Sequence, residues 1–175
     1  VMAAALASLY MDNLSSVKND TGAAKDAARD AHTWIMSFLY IGTFGSFIGY
    51  AFAFGQVLQV QFADVFSTPV KAAYLTFLGP LLGSLIRPLG GNLADRIGGA
   101  TVTFWNFLAM AVCTLACVLA SATASLGLFV AGFIGLFVLA GIGNGSTYKM
   151  IPAIFRRSAL RKVADGAEPV AAMAW

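Results

Sequence analysis

The sequence predicts an all-α membrane protein. Of its 175 residues, 59% are hydrophobic and 11% are charged, whereas soluble domains carry roughly 25% charged residues. The charges are also unevenly distributed, because none lies between Asp30 and Asp64 and none lies between Arg96 and Lys149. Apolar stretches of this length accommodate helices of about 20 residues, each long enough to cross a bilayer.

Four complete membrane-spanning helices are predicted within residues 34–155. Their approximate bounds, taken from the apolar runs and the polar breaks between them, are 33–62, 72–94, 101–121 and 126–148. Residues 1–10 are typical of the end of a preceding span, residues 11–33 of a central cytoplasmic loop, and residues 156–175 of a further cytoplasmic loop. Because the chain begins in mid-pattern, without an initiator Met or a signal-peptide layout, we expect it to be a piece of a larger polytopic protein.

The basic residues of the predicted loops orient the helices. Eight of them fall on one side of the bundle and one falls on the other. The eight are Lys18, Lys25, Arg29, Arg96, Arg156, Arg157, Arg161 and Lys162, and the one is Lys71. Because basic residues concentrate in cytoplasmic loops, segments 11–33, 95–100 and 156–175 are predicted to lie in the cytoplasm.

Arg87 is the residue that costs most to place in a membrane. It lies about seven residues before the cytoplasmic end of the second span, roughly 10 Å deep at 1.5 Å per residue. A guanidinium stays charged there at a cost of at least a few kcal/mol. Pro88 has no backbone N–H and interrupts the helix beside it. The combination predicts a cavity that binds a small anion. The alternative is a structural arginine that caps carbonyls or pairs with a carboxylate on another helix.

A polar, glycine-rich stretch lies near the end of the fourth span. Residues 141–147 read GIGNGST and are followed closely by Lys149. Three alternating glycines with Asn, Ser and Thr predict a thin helix that is poorly committed to staying helical. Backbone donors freed there are expected to approach an anion, whereas Lys149 is alternatively expected to extend to the cytoplasmic interface.

Small residues recur at a spacing of four, which lets helix backbones approach closely. The pairs are Gly45 with Gly49, Gly79 with Gly83, Ala131 with Gly135, and Gly141 with Gly145. Together with Pro80 and Pro88, they predict spans that pack tightly and bend.

The sequence indicates neither a metal nor a cofactor. Cys113 and Cys117 lie four apart in an apolar stretch without further ligands nearby, which is typical of two small buried hydrophobic residues. His32 is the one histidine, whereas a membrane subunit that holds haem needs paired axial ligands. We expect no nucleic-acid partner either.

Residues 91–98 (GNLADRIG) resemble the loop motif of the major facilitator superfamily in its second-half copy, with Gly99 and Ala100 in place of the basic pair that usually follows. Asp95 is expected to cap the amides of the next helix, and Gly98 and Gly99 to permit a tight reversal. The candidate gating and loop residues are Gly91, Asp95, Arg96 and Gly98.

Four further segments are similar, in order and spacing, to the nitrate/nitrite porter family of that superfamily. They are 40–49 (YIGTFGSFIG), 79–91 (GPLLGSLIRPLGG), 102–107 (VTFWNF) and 141–150 (GIGNGSTYKM). The resemblance implies helices seven to ten of a twelve-helix fold with two halves around a central path. It implies transport of nitrate or nitrite by alternating access, so that no bond is made or broken and the protein is not an enzyme. The first half and helices eleven and twelve of the same protein would complete the transporter.

The same resemblance implies the substrate-binding residues. Arg87 matches the substrate arginine of the second half, and Tyr40 and Phe44 match residues that line the nitrate site. A planar guanidinium suits a planar anion, a tyrosine hydroxyl donates a hydrogen bond, and a phenyl ring covers one face. We add Asn144 to these candidates.

Three alternatives stay open. The parent could be a superfamily porter for another small anion or organic acid. It could be a non-transporting membrane subunit that anchors a respiratory enzyme, or the chain could be a truncated, non-functional product. The four predicted spans contain no deep carboxylate, which favours nitrate/nitrite exchange over proton symport.

Overall fold

The computed structural model describes residues 9, 25 and 27–164, with the backbone alone for residues 158, 159 and 161–164. This part of the chain contains four helical spans that are long and apolar enough to cross a membrane. They are Ala31–Gln61, Pro69–Ile97, Gly99–Ala122 and Leu126–Arg157, named the first to fourth spans below. The predicted all-α membrane fold is thus confirmed. Most of segments 1–10 and 11–33, and residues 165–175, lie outside the described residues.

The first two spans are interrupted helices. The first consists of α1 (Ala31–Tyr40), a π-helical turn (Ile41–Gly45) and α2 (Ser46–Gln61). The second consists of α3 (Pro69–Thr76), α4 (Leu78–Leu85) and α5 (Arg87–Ile97). The two breaks in the second span come just before Pro80 and Pro88, which lack the backbone N–H that a continuous helix needs. The structure thus shows helix interruptions beside both prolines, and the predicted bending of the span at these places stays a prediction.

The third span is α6 (Gly99–Ala122), and the fourth lies within α7 (Leu126–Ala164). Helix α7 runs past its predicted end at Tyr148 and contains Pro152. The segment predicted as loop 156–175 therefore begins, in its described part, as a continuation of this helix.

The glycine-rich segment 141–147 does not loosen α7, and the prediction that it is weakly helical is wrong. Gly141 and Gly145 pack against the backbone of the second span, and Gly143 packs against side chains of Asn106 and Thr43. A Cβ on Gly141 would meet the carbonyl oxygen of Gly83, and a Cβ on Gly145 would meet that of Arg87. Because the two helices touch backbone to backbone here, the absent side chains permit close approach rather than unwinding.

The buried side chains differ between the two halves of the bundle, being aromatic in one half and polar in the other. Phe54, Leu58 and Phe137 are fully buried, and the rings of Phe54 and Phe133 stack at a centroid distance of 4.8 Å. This aromatic cluster fills the half of the bundle opposite the loop at residues 95–100. Most buried polar side chains lie in the other half, on the first, third and fourth spans. That half contains the loop predicted to be cytoplasmic and is called the cytoplasmic half below.

Candidate functional site: a cationic cavity between the second and fourth spans

A cavity of about 640 Å³ lies in the cytoplasmic half, between α5 and α7. This volume is many times that of one water molecule, about 30 Å³, so the cavity has room for a small anion. The polar side chains in its wall are Arg87, Asn92, Asp95, Asn144, Tyr148 and Lys149.

Arg87 is the first residue of α5, directly after the break at Ile86. Its guanidinium carbon lies 4.9 Å from the ring centroid of Phe47 and 5.7 Å from that of Phe44. Its Nε is buried and makes no hydrogen bond to any described residue. No carboxylate in the described part of the chain pairs with it. The structure of these residues thus does not support the alternative of an arginine that pairs with a carboxylate.

Tyr40 and Phe44 flank Arg87 from the first span. Their rings stack at 5.2 Å with an interplanar angle of 16°. Tyr40 also meets Tyr148 of the fourth span edge-on at 5.6 Å. Phe44 lies within the π-helical turn, a feature that shifts the helix register and is frequent at functional sites. The structure therefore brings Tyr40, Phe44 and Arg87 together.

Asn144 lies in the cavity wall and is 2% exposed, and its Oδ1 makes no hydrogen bond to described residues. It belongs to a polar band where the first, third and fourth spans meet. The other buried members are Thr43, Thr103, Asn106, Ser146 and Thr147. Ser146 Oγ joins the fourth span to the third, since it lies 3.3 Å from Thr103 Oγ1 and donates a hydrogen bond to the carbonyl oxygen of Gly99 at 3.2 Å.

The loop motif is arranged differently from the prediction in one respect. Asp95 does not cap α6, whose N-cap is Gly98 without a side-chain hydrogen bond. Asp95 Oδ2 instead lies 3.1 Å from the Nζ of Lys149. The capping prediction is wrong because this carboxylate, in the last turn of α5, finds a cation on the neighbouring helix.

The remaining motif residues have structural positions. Gly98 has φ 89° and ψ 133°, which confirms the predicted tight reversal. Arg96 is exposed in the last turn of α5, where a cation interacts favourably with the helix dipole. Gly91 lines the cavity beside Gly145.

Sequence reasoning missed Phe47 and Tyr148. Phe47 lies three residues after Phe44, on nearly the same helical face, so this spacing was the available signal. Tyr148 lies between the glycine-rich segment 141–147 and Lys149, and its own position carries no charge or glycine pattern. Its ring contact with Tyr40 joins positions more than a hundred residues apart, and no local pattern reports such a contact.

Comparison with known proteins finds similar sequences among nitrate/nitrite transporters. The nitrate/nitrite transporter NarU of Salmonella typhimurium is 38% identical over 156 residues, which is 87% of this chain and 33% of that protein. NarU of Escherichia coli is 36% identical over the same shares. The probable nitrate/nitrite antiporter NarK2 of Thermus thermophilus is 40% identical over 133 residues, 74% of this chain and 30% of that protein. The chain thus spans about a third of the length of these relatives.

The model of the Major Facilitator Superfamily matches residues 2–166, nearly the whole chain. The four apolar spans and the loop motif at residues 91–98 agree with this match. The chain therefore belongs to the Major Facilitator Superfamily.

Proposed function

We propose that this chain is part of a nitrate/nitrite transporter, in which Arg87 binds the anion and the protein alternates between the two faces of the membrane. The observation that carries the proposal is the position of Arg87. Its cationic side chain lies against two aromatic rings, has no carboxylate partner among the described residues, and borders a cavity. The similarity to the nitrate/nitrite transporters NarU supports the choice of anion.

The chemistry of the site suits a small planar anion. A guanidinium offers parallel N–H donors in one plane, which match two oxygens of nitrate or nitrite. The rings of Phe44 and Phe47 lie against this guanidinium and favour a flat ligand over a tetrahedral one. Asn144 supplies an amide and Tyr40 a hydroxyl for the third oxygen of nitrate. The first half of the protein and helices eleven and twelve would complete the site.

The second span supplies flexibility for alternating access. Its breaks before Pro80 and Pro88 are places where the helix can bend. Transport makes and breaks no covalent bond, so the protein we propose is not an enzyme.

Exchange of nitrate for nitrite fits these spans better than proton symport. Between residues 31 and 164 the carboxylates are Asp64 and Asp95, and both lie at helix ends rather than deep in a span. If the transporter exchanges nitrate for nitrite, internal nitrite would accelerate the uptake of labelled nitrate, and a pH gradient would not change it.

The decisive test is uptake of labelled nitrate into vesicles that contain the full-length transporter carrying this sequence. Arg87→Lys keeps the charge but loses the bidentate fork, and we expect kcat/KM to fall at least tenfold. Arg96→Lys is the matched control, since Arg96 is exposed at a helix end, and it should transport normally. Wild-type rates in Arg87→Lys would refute the role of Arg87.

The choice of substrate is tested by competition in the same vesicles. Nitrite and formate, which are flat, should compete with nitrate, whereas phosphate and sulfate should not. Efficient uptake of an organic acid without competition by nitrate would instead identify a superfamily porter for another anion.

A further inference from the structure

We infer that Lys149 forms a second binding site for a small monovalent anion, at the cytoplasmic mouth of the cavity, and that Asp95 competes with the anion for its ammonium group. The role we give this site, as a station between Arg87 and the cytoplasm, rests on the proposed function.

The first step is the position of the two cations. Arg87 and Lys149 line the same cavity. Asp95 follows Arg87 by eight residues in α5, which places it about 12 Å further along the helix at 1.5 Å per residue. Because the Lys149 ammonium lies 3.1 Å from Asp95, it too lies toward the cytoplasmic end. An anion that leaves Arg87 for the cytoplasm therefore passes Lys149.

The second step is the weakness of the present ion pair. Within the described residues, the side chains of Lys149 and Asp95 are 56% and 52% exposed. Ion pairs this exposed contribute little to stability, because water screens them and two side chains must be held in place. Lysine carries its charge on a flexible four-carbon stem, so its ammonium can turn from the carboxylate to an anion in the cavity.

The third step is the charge balance. Arg87, Lys149 and Asp95 are the charged side chains among the described residues of the cavity wall, and their charges sum to +1. One monovalent anion neutralises the cavity, whether it lies at Arg87 or at Lys149. When it moves to Lys149, Asp95 is released, and the return of that carboxylate helps to displace the anion into the cytoplasm. Lys149 would thus give the anion an intermediate binding site between Arg87 and bulk solvent. Asp95 would keep the anion from binding there too tightly.

A purely structural latch is the alternative, since the same pair also joins α5 to α7. The two interpretations predict different directions of change in anion affinity. A latch is broken equally by Asp95→Asn and by Lys149→Gln, so both variants would shift anion binding in the same direction. For an anion site, Asp95→Asn removes a competitor and tightens binding, whereas Lys149→Gln removes the binding group and weakens it.

The test measures the apparent Kd of nitrate for the purified full-length protein, from nitrate-dependent thermal stabilisation. All variants are made in an Arg87→Gln background, so that the guanidinium of Arg87 does not contribute. We expect Asp95→Asn to lower the Kd roughly fivefold, which corresponds to about 1 kcal/mol for one ion contact in water. Lys149→Gln should raise it by at least that factor. Asp64→Asn and Lys71→Gln, matched changes at the opposite end of the spans, should leave it unchanged.

Shifts of Asp95→Asn and Lys149→Gln in the same direction, or no shift in either, would overturn the inference. The outcome is separable from that of the proposed function. If the wild-type protein transports nitrate but the two variants do not oppose each other, the second site fails alone. If the variants oppose each other but the wild type transports no nitrate, the binding site stands and the transport role fails.

Discussion

The guanidinium carbon of Arg87 lies closer to the ring of Phe47, at 4.9 Å, than to that of Phe44, at 5.7 Å. Phe47 is itself held in place. It meets Phe137 edge-on at a centroid distance of 5.6 Å, and it fills space that Gly83 leaves open, since a Cβ there would approach its Cε2 to 2.6 Å. The orientation of the arginine therefore depends on a ring that is packed between the second and fourth spans.

Replacing Phe47 tests this orientation. Phe47→Leu keeps an apolar side chain but removes the cation–π contact, which is worth about 0.5–2 kcal/mol. We expect the KM for nitrate to rise roughly threefold to thirtyfold, with a smaller change in kcat, in vesicle uptake. Phe47→Tyr keeps the ring and should restore most of the affinity. Equal losses in Phe47→Leu and Phe47→Tyr, with lowered thermal stability in both, would indicate that Phe47 acts through packing alone.

Gly145 sets the distance between the fourth span and the backbone of Arg87. A Cβ at position 145 would meet the Arg87 carbonyl oxygen, whereas a Cβ at Gly49 has no described atom within 4 Å. In a helix, Gly→Ala alone is favourable by roughly 0.5–1 kcal/mol. We therefore predict that Gly145→Ala lowers both thermal stability and nitrate uptake, while Gly49→Ala leaves uptake unchanged and does not lower stability. Normal uptake by Gly145→Ala would show that the helices can separate there without moving Arg87.

The glycines also show what sequence can predict about helix packing. Spacing alone identified Gly45 with Gly49 and Gly141 with Gly145 as equivalent pairs, because both present a smooth strip on a helix. In the described structure only the second pair packs backbone to backbone. Spacing reports that a helix can be approached closely, but the partner is set by the three-dimensional arrangement of the spans.

The site was predictable to a similar degree. The cost of a charge in hydrocarbon identified Arg87, and the family resemblance supplied Tyr40 and Phe44. Phe47 was missed because the first span is rich in aromatic residues, and a π-helical turn changes which of them face the second span. The partner of Asp95 was missed because Lys149 lies on another helix, and local capping rules consider only the adjacent one.

The two buried asparagines provide a matched pair. Asn144 and Asn106 are 2% and 4% exposed, and the Oδ1 of each makes no hydrogen bond within the described residues. Replacing such a group with an apolar one of similar shape is nearly neutral or stabilising. We expect Asn144→Leu and Asn106→Leu to leave thermal stability unchanged or raised.

Nitrate binding should separate these two variants, because only Asn144 lines the cavity among them. A hydrogen bond to a charged group contributes roughly 1.5–3 kcal/mol, so Asn144→Leu should weaken nitrate binding at least tenfold. Asn106→Leu should bind nitrate normally. The reverse pattern would move the anion away from the cavity and toward the polar band behind it.

Gly98 fixes the reversal between α5 and α6 by its backbone conformation. Its φ of 89° with ψ of 133° lies in a region that is essentially restricted to glycine, and another residue there is strained by about 1–3 kcal/mol. Its Cβ would meet little, since the nearest atom is Thr101 Oγ1 at 4.0 Å, so the strain comes from the backbone rather than from a clash. We predict that Gly98→Ala lowers the thermal stability of the full-length protein. Gly127→Ala, in the first turn of α7 with nothing within 4 Å of the new methyl group, should keep it. Because α5 also carries Asp95, a backbone shift at Gly98 would disturb the Lys149 pair. In the Arg87→Gln background, the effect of Asp95→Asn on nitrate affinity should therefore be smaller when Gly98→Ala is also present than when Gly98 is kept.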